Sequence, residues 1–269
     1  MTRHSLIAGL FLLLPGIALA ISPGSTDPRE IMDAVENRDL GDQATNRLQI
    51  TITDKAGRKR TRGVQSRSLE FDGGRKQLML FESPADVRNA GLLSVDYDDG
   101  AKSDDQWLYL PSLGKTTRIS SADKSGSFMG TDLTYSDMTK RDPDAYDYTM
   151  VEASVEAGGE TCWLIESRPK TDKEKNETGY LKTQVWIAKD KLVPVQIKAW
   201  VAEGKKLKYT QFKDIRNVDG IWIAHQILVR TVRNGATESS STLVFNELKF
   251  NEESVVPDDF TERRLEKGL

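Results

Sequence analysis

Along most of the chain, apolar and polar residues alternate one by one. In residues 47–53, RLQITIT, Leu48, Ile50 and Ile52 share one face while Gln49, Thr51 and Thr53 share the other. The stretch LVPVQIKAWV repeats the pattern with Val193, Val195, Ile197, Ala199 and Val201. A period of two is the signature of a strand with one covered face. The same reading predicts strands near 60–71, 75–82, 91–98, 105–110, 115–120, 146–155, 161–168, 182–189, 205–213, 221–233 and 240–250. Turn-forming runs such as FDGGRK, DDGAKSDD, EAGGET, NVDG and RNGA separate them, so successive strands pair as an antiparallel meander rather than as βαβ units.

Helical signals are few. DPREIMDAVENRDL offers Asp27 as a cap, Pro28 in the first turn and Ile31, Met32 and Val35 on one side. TDLTYSDMTK, 131–140, and PDDFTERRLEK near the C-terminus are two further candidates. The charged stretch RPKTDKEKNETGYLK, 168–182, reads as a long hairpin loop. A sheet of roughly ten or more strands must curl, split into two layers or close. Three short helices cannot fill a strongly curved sheet, so the pattern predicts a mainly β fold with a partly open apolar concavity. A β-sandwich is the alternative, since alternation alone does not separate the two.

The first twenty residues stand apart. MTRHSLIAGLFLLLPGIALA has a basic start at Arg3, an apolar run from Leu6 to Leu14 and the small-residue pattern Ala18-Leu19-Ala20. This reads as a secretory signal cleaved after Ala20, leaving residues 21–269 as one exported domain. A membrane anchor needs roughly 18 apolar residues, and Pro15-Gly16 interrupts the run. The net charge of −3, with both signs spread along the chain, leaves no footprint for nucleic acid.

Candidate chemistry is sparse. Cys162 is the only cysteine, so no internal disulfide forms, and its strand TCWLIES marks it as a small buried hydrophobe. His225 is the only histidine after the signal, so a zinc site of the usual Cys/His type cannot be assembled. The G-x-S-x-G nucleophile elbow is missing; GSFMG, 126–130, has its serine in another slot. Asp96, Asp98, Asp99, Asp104 and Asp105 cluster, but Gly100 stands where a calcium loop needs its fifth ligand, and a solvated turn is the plainer reading. No phosphate loop or dinucleotide fingerprint calls for a cofactor. A carboxylate-dependent hydrolase acting on envelope material stays open as the enzymatic alternative, with no carboxylate pair singled out.

Three segments together resemble one family: FESPADVRNAGLLSV, DDQWLYLPSLGKTTRIS and SGSFMGTDLTYSDM. The shared elements are Phe81, Pro84 and Asp86-Val87-Arg88, then Asp104 to Pro111, Arg118-Ile119, and Ser125 to Met138. In this order they resemble the LolA-like outer-membrane lipoprotein-sorting proteins; the chain departs from the pattern at Asn89-Ala90, where the family usually has Gly-Thr. The resemblance implies a curved antiparallel half-barrel with helices as a lid over an apolar cavity, and a non-enzymatic role in carrying lipid or acylated lipoprotein through the periplasm. Members of this branch are often associated with RND-type exporters of the inner membrane, so such an exporter and an outer-membrane acceptor are the expected partners.

Within QWLYLP, alternation sends Trp107 and Tyr109 to one face and Leu108 and Leu110 to the other. The segment after it reads as a loop entering a lid helix. Trp107, Tyr109, Phe128, Met129, Leu133, Tyr135 and Met138 are therefore the candidate cargo contacts, the methionines because a flexible thioether adapts to varied acyl shapes. Catalytic, metal and cofactor residues are expected to be none.

Overall fold

The computed structural model describes residues 21–268; the expected signal segment, 1–20, lies outside them. The alternating stretches form thirteen strands: β1 (Gln43–Thr53), β2 (Lys59–Phe71), β3 (Gly74–Ser83), β4 (Gly91–Tyr97), β5 (Asp105–Leu110), β6 (Lys115–Arg118), β7 (Tyr146–Ala157), β8 (Glu160–Pro169), β9 (Tyr180–Ala188), β10 (Val193–Val201), β11 (Lys206–Val218), β12 (Ile221–Arg233) and β13 (Ala236–Phe250). All belong to one open, curved sheet in the order β6-β5-β4-β3-β2-β1-β13-β12-β11-β10-β9-β8-β7. Three short helices accompany it: α1 (Pro28–Glu36), α2 (Asp172–Thr178) and α3 (Glu262–Lys267). The curved antiparallel sheet is thus the architecture, and the sandwich is set aside.

Side-chain alternation gives the sheet two distinct faces. Leu48, Ile50 and Ile52 of β1, Val64 of β2, Met79 and Phe81 of β3, Leu92 of β4 and Leu243 of β13 gather on one, here called the inner face. Register carries that face round the sheet, through Ile50↔Leu243, Leu243↔Ile227, Ile227↔Phe212, Thr210↔Ile197, Ile197↔Val185 and Val185↔Ile165. There α1 lays Ile31, Met32 and Val35 on Trp163, Ile165, Val185 and Ile187. The helix starts where expected because the Asp27 carboxylate accepts the Arg29 and Glu30 N–H groups and Pro28 needs no such partner.

The outer face is covered by the C-terminal segment. Val255, Phe260 and Leu265 pack on Leu69, Leu78, Leu80 and Leu93. Gly91 makes this docking possible: a Cβ there would lie 2.7 Å from the Leu265 and Leu80 side chains. The C-terminal helix candidate resolves into a 3-10 turn, Pro257–Asp259, followed by α3, which Thr261 caps.

Two helix expectations need correction. Residues 131–140 form no α-helix; the region holds only the 3-10 turns Phe128–Gly130 and Ser136–Met138. Conversely, 168–182 is no long loop. β8 continues to Pro169, and α2 follows, with the Thr171 hydroxyl accepting the Glu174 N–H at 3.1 Å. Among the described residues, no helix is long and apolar enough to cross a membrane.

Candidate functional site

β6 and β7 are the opposite edges of the sheet, so the chain between them, 119–145, has to cross from one edge to the other. It does so over the inner face, as an irregular connector held by side chains rather than by strand pairing. Asp132 is the first anchor. Its carboxylate accepts the hydroxyls of Thr231 at 2.6 Å, Ser239 at 2.5 Å and Ser241 at 2.7 Å, while its N–H donates to Ser241 Oγ at 2.9 Å. Asp137 is the second, accepting from Tyr180 at 2.8 Å and from Lys208 Nζ at 3.1 Å. Burial pushes the Asp137 carboxyl up, but Lys208, the Thr134 N–H and Tyr180 outweigh it and hold the group below its ordinary range. Gln106 of β5 adds a third contact, donating to the Tyr135 carbonyl at 2.9 Å, and Arg62 of β2 donates to the Met129 carbonyl.

Beneath these anchors the connector is apolar. Phe128 is fully buried, 6.0 Å from the Phe81 ring and 5.8 Å from that of Tyr135, measured between centroids. Met129, Leu133, Tyr135 and Met138, each partly buried, pack on the same inner cluster, as does Leu110. Met129 has φ 49°, a left-handed turn that a methionine adopts at a cost, and Gly130 follows with φ 74°. Five of the seven candidate cargo residues are therefore brought together. The other two, Trp107 and Tyr109, lie on the outer face against Val255, Phe260 and Leu265. Alternation separated them correctly from Leu108 and Leu110; it carries no information on which face holds which cover.

At one end of the inner face, bounded by α1, α2, the connector and the ends of β3 and β4, lies a cavity of about 950 Å³. Its wall is polar and charged, in contrast to the apolar concavity expected; the apolar stretch is filled by the connector. Asp96 of β4, on the same face as Leu92, is 8 % exposed. Burial, then the neighbouring Asp104, push its carboxyl up to about 8. Burial also raises Asp104, whose Oδ1 accepts the Tyr97 N–H at 3.0 Å. The plain reading of this aspartate cluster as a solvated turn thus holds for exposed Asp98 and Asp99 but fails for Asp96. Among the described residues, no group of three or more His, Cys, Asp or Glu side chains is arranged to hold a metal ion. Cys162 is fully buried between strands, as expected. His225 is half-buried on β12, with Nδ1 lacking a hydrogen-bond partner.

A family model, described only as that of an uncharacterized protein, matches residues 73–267. The chain belongs to this DUF1329-like family. A solved DUF1329 family protein from Desulfovibrio piger is 26 % identical, with a TM-score of 0.79, over 89 % of this chain and all (100 %) of its own. A structure from Vibrio parahaemolyticus, described as an outer membrane lipoprotein-sorting protein domain, is 28 % identical, with a TM-score of 0.79, over 89 % of this chain and 98 % of that one. A LolA superfamily protein from Nitrosomonas europaea shares the fold at 16 % identity and a TM-score of 0.66, over 89 % of this chain and 100 % of its own. No curated protein matches the sequence significantly. This chain therefore shares the fold of that LolA superfamily protein, and in it the connector occupies the inner face.

The sequence reading missed the anchors Asp132, Asp137 and Lys208 and the buried Asp96. A signal existed for Asp96: in GLLSVDY it falls in register with Leu92 and Ser94, on the covered face. For the anchors none existed, because their partners lie far away in sequence.

Proposed function

We propose that this protein is an exported, periplasmic carrier of acyl-bearing cargo, lipid or acylated lipoprotein, acting through residues 21–269 as one carrier domain. The observation that carries the reading is the connector over the inner face. An apolar surface made by Ile50, Val64, Met79, Phe81 and Leu92 is covered by a segment without α-helix, whose backbone pairs with the sheet at its ends, Ile119 and Ala145, and which is clasped mainly through Asp132, Asp137 and Gln106. Such a cover can be displaced without breaking the strand ladder, and the surface beneath suits an acyl chain. Phe128, Met129, Leu133, Tyr135 and Met138 then either line the cargo or move aside for it; Trp107 and Tyr109, on the outer face, serve the C-terminal packing instead. The likeness to the Vibrio lipoprotein-sorting domain supports the same role. We place the protein between an inner-membrane RND-type exporter and an outer-membrane acceptor.

The test is binding of fatty acids of increasing length to purified protein, read by displacement of a fluorescent acyl probe. Each buried methylene is worth about 0.8 kcal/mol, so affinity rises by roughly fourfold per added methylene until the surface is covered. Affinity that ignores chain length overturns the carrier reading. Mass spectrometry of a phospholipid incubated with the protein separates carrier from hydrolase: a carrier returns it intact, an enzyme returns it cleaved at an ester bond.

A further inference from the structure

The polar end of the inner face has an imbalance that the fold does not resolve. Asp96 Oδ1 has no hydrogen-bond partner, although the residue is 8 % exposed and lines the cavity. Glu177 Oε1 of α2, in the same wall, has none either. Inward from them, along the inner face, Gln106 Oε1 and Asn46 Oδ1 are likewise buried without a partner. Register links these positions: Gln77, also in the cavity wall, pairs with Ser94, and Ser94 with Gln106. As an ionised carboxylate or an amide carbonyl, each of these four oxygens is an acceptor. Against them stands one unpartnered buried donor nitrogen in the wall, Arg38 Nε. Leaving a buried acceptor unsatisfied is unfavourable, and a group that brings donors relieves it.

Charge points the same way. The pairing Val95↔Asp105 sets Asp104 opposite Asp96, and Arg75 pairs with Asp96 on the other side. Arg75 gives its N–H donors to the carbonyls of Leu40 and Gly41, so it acts on Asp96 through charge and not through a hydrogen bond. Lys140 offers Asp96 its backbone N–H, while its Nζ goes to Asn37 at 3.0 Å and Asp98 at 3.3 Å. Lys173, largely exposed, lies 3.8 Å from Glu177 Oε1, an ion pair too long for a hydrogen bond. Lys124, 5 % exposed and 3.7 Å from Glu177, is left as the one buried lysine facing Asp96, Asp104 and Glu177. Three carboxyls thus share Lys124 and the charge of Arg75, and repulsion from Asp104 adds to burial in pushing Asp96 up.

We propose that this cavity is a subsite for a primary ammonium group, borne by the headgroup of an amphiphile whose acyl chains lie on the adjoining apolar stretch. A primary ammonium brings three donors and one positive charge in a compact volume, which matches both shortages. The acyl half of this statement rests on the carrier reading; the ammonium half does not. Phosphatidylethanolamine and a free ethanolamine-type amine share the chemistry, and the experiment separates them.

Calorimetric titration in amine-free buffer uses three soluble dihexanoyl phospholipids that differ only in headgroup, together with ethanolamine alone. The expected result is that the ethanolamine headgroup binds about tenfold tighter than choline, which has the charge without the N–H donors, and than glycerol, which has donors without the charge. Binding displaces the proton held by Asp96, so the measured heat changes with the ionisation heat of the buffer. Asp96→Asn with Glu177→Gln removes the headgroup preference and the proton release, while binding of a fatty-acid probe persists. Ethanolamine alone binding as tightly as the lipid supports the subsite and assigns it to a free amine, even if no acyl probe binds. Equal affinity for the three headgroups with no heat from ethanolamine overturns the proposal and leaves the carrier reading standing on its acyl data.

Discussion

Phe128 of the connector meets Phe81 of β3 with ring centroids 6.0 Å apart, and neither side chain reaches solvent. The segment that covers the inner face is thus part of the core while it is closed. Phe128→Ala is expected to cost about 3–5 kcal/mol, the range for removing a buried phenylalanine. Met129→Ala, at a partly buried neighbour, costs less. Urea unfolding of the two variants checks the order, and a Phe128→Ala protein as stable as wild type would place the closed connector outside the core.

Asp132 holds the connector through three hydroxyls, and weakening that clasp lowers the cost of displacement. Asp132→Asn reduces stability by about 1–3 kcal/mol, because acceptor capacity towards Thr231, Ser239 and Ser241 is lost. On the carrier reading the same variant binds acyl probe more tightly, by about tenfold for each ~1.4 kcal/mol taken from the closed state. Lower stability with unchanged probe affinity would show that the connector does not move for cargo.

Lys208 and Asp137 form a buried pair with Tyr180 between connector and sheet. Removing one charge strands the other, so Lys208→Met is expected to destabilise by about 3–5 kcal/mol. The double variant Lys208→Met with Asp137→Asn recovers part of that loss, since no lone charge stays buried. Chemical denaturation of both single variants and the double variant measures the coupling; strict additivity would refute the pair.

Asp96 makes stability depend on pH in an unusual direction. Its carboxyl is raised from the ordinary 3.8 to about 8, so the folded state holds a proton that the unfolded chain has lost between those limits. Stability contributed by this group is complete below pH 4 and falls as pH rises through 8, by at most about 1.4 kcal/mol per pH unit. The raised Asp104 acts in the same sense. The lowered Asp137 loses its contribution only in stronger acid, outside this window. Melting curves from pH 5 to 9 should therefore flatten in Asp96→Asn relative to wild type. Parallel profiles would mean that Asp96 titrates normally.

The parts of the fold legible in the sequence are those that local alternation controls. Alternation predicts β12 at 221–233, its observed bounds, because strand residues facing a covered surface repeat every second position. The same logic separated Trp107 and Tyr109 from Leu108 and Leu110. The helix expected at 131–140 has Tyr135 and Met138 one turn apart but Leu133 on the opposite side, and the backbone there is fixed instead by remote hydroxyl, ammonium and amide groups. The helix α2 was missed in a run of charged residues, although Thr171 followed by Glu174 is a readable helix start. The polar cavity was illegible because it forms from α1, α2, the connector and strand ends that only the closed fold brings together.

The strand order has a kinetic consequence. Every neighbouring pair in the sheet is a local hairpin except one, β1 with β13, which joins residues separated by nearly the whole chain. Two meanders, β1–β6 and β7–β13, can each form by short loop closures, whereas the seam between them must wait for a long one. Folding is thereby divided into two quick local events and one slow encounter. The same seam, through Ile50 against Leu243, lies directly beneath the connector. The part of the inner surface assembled last is the part that the connector covers.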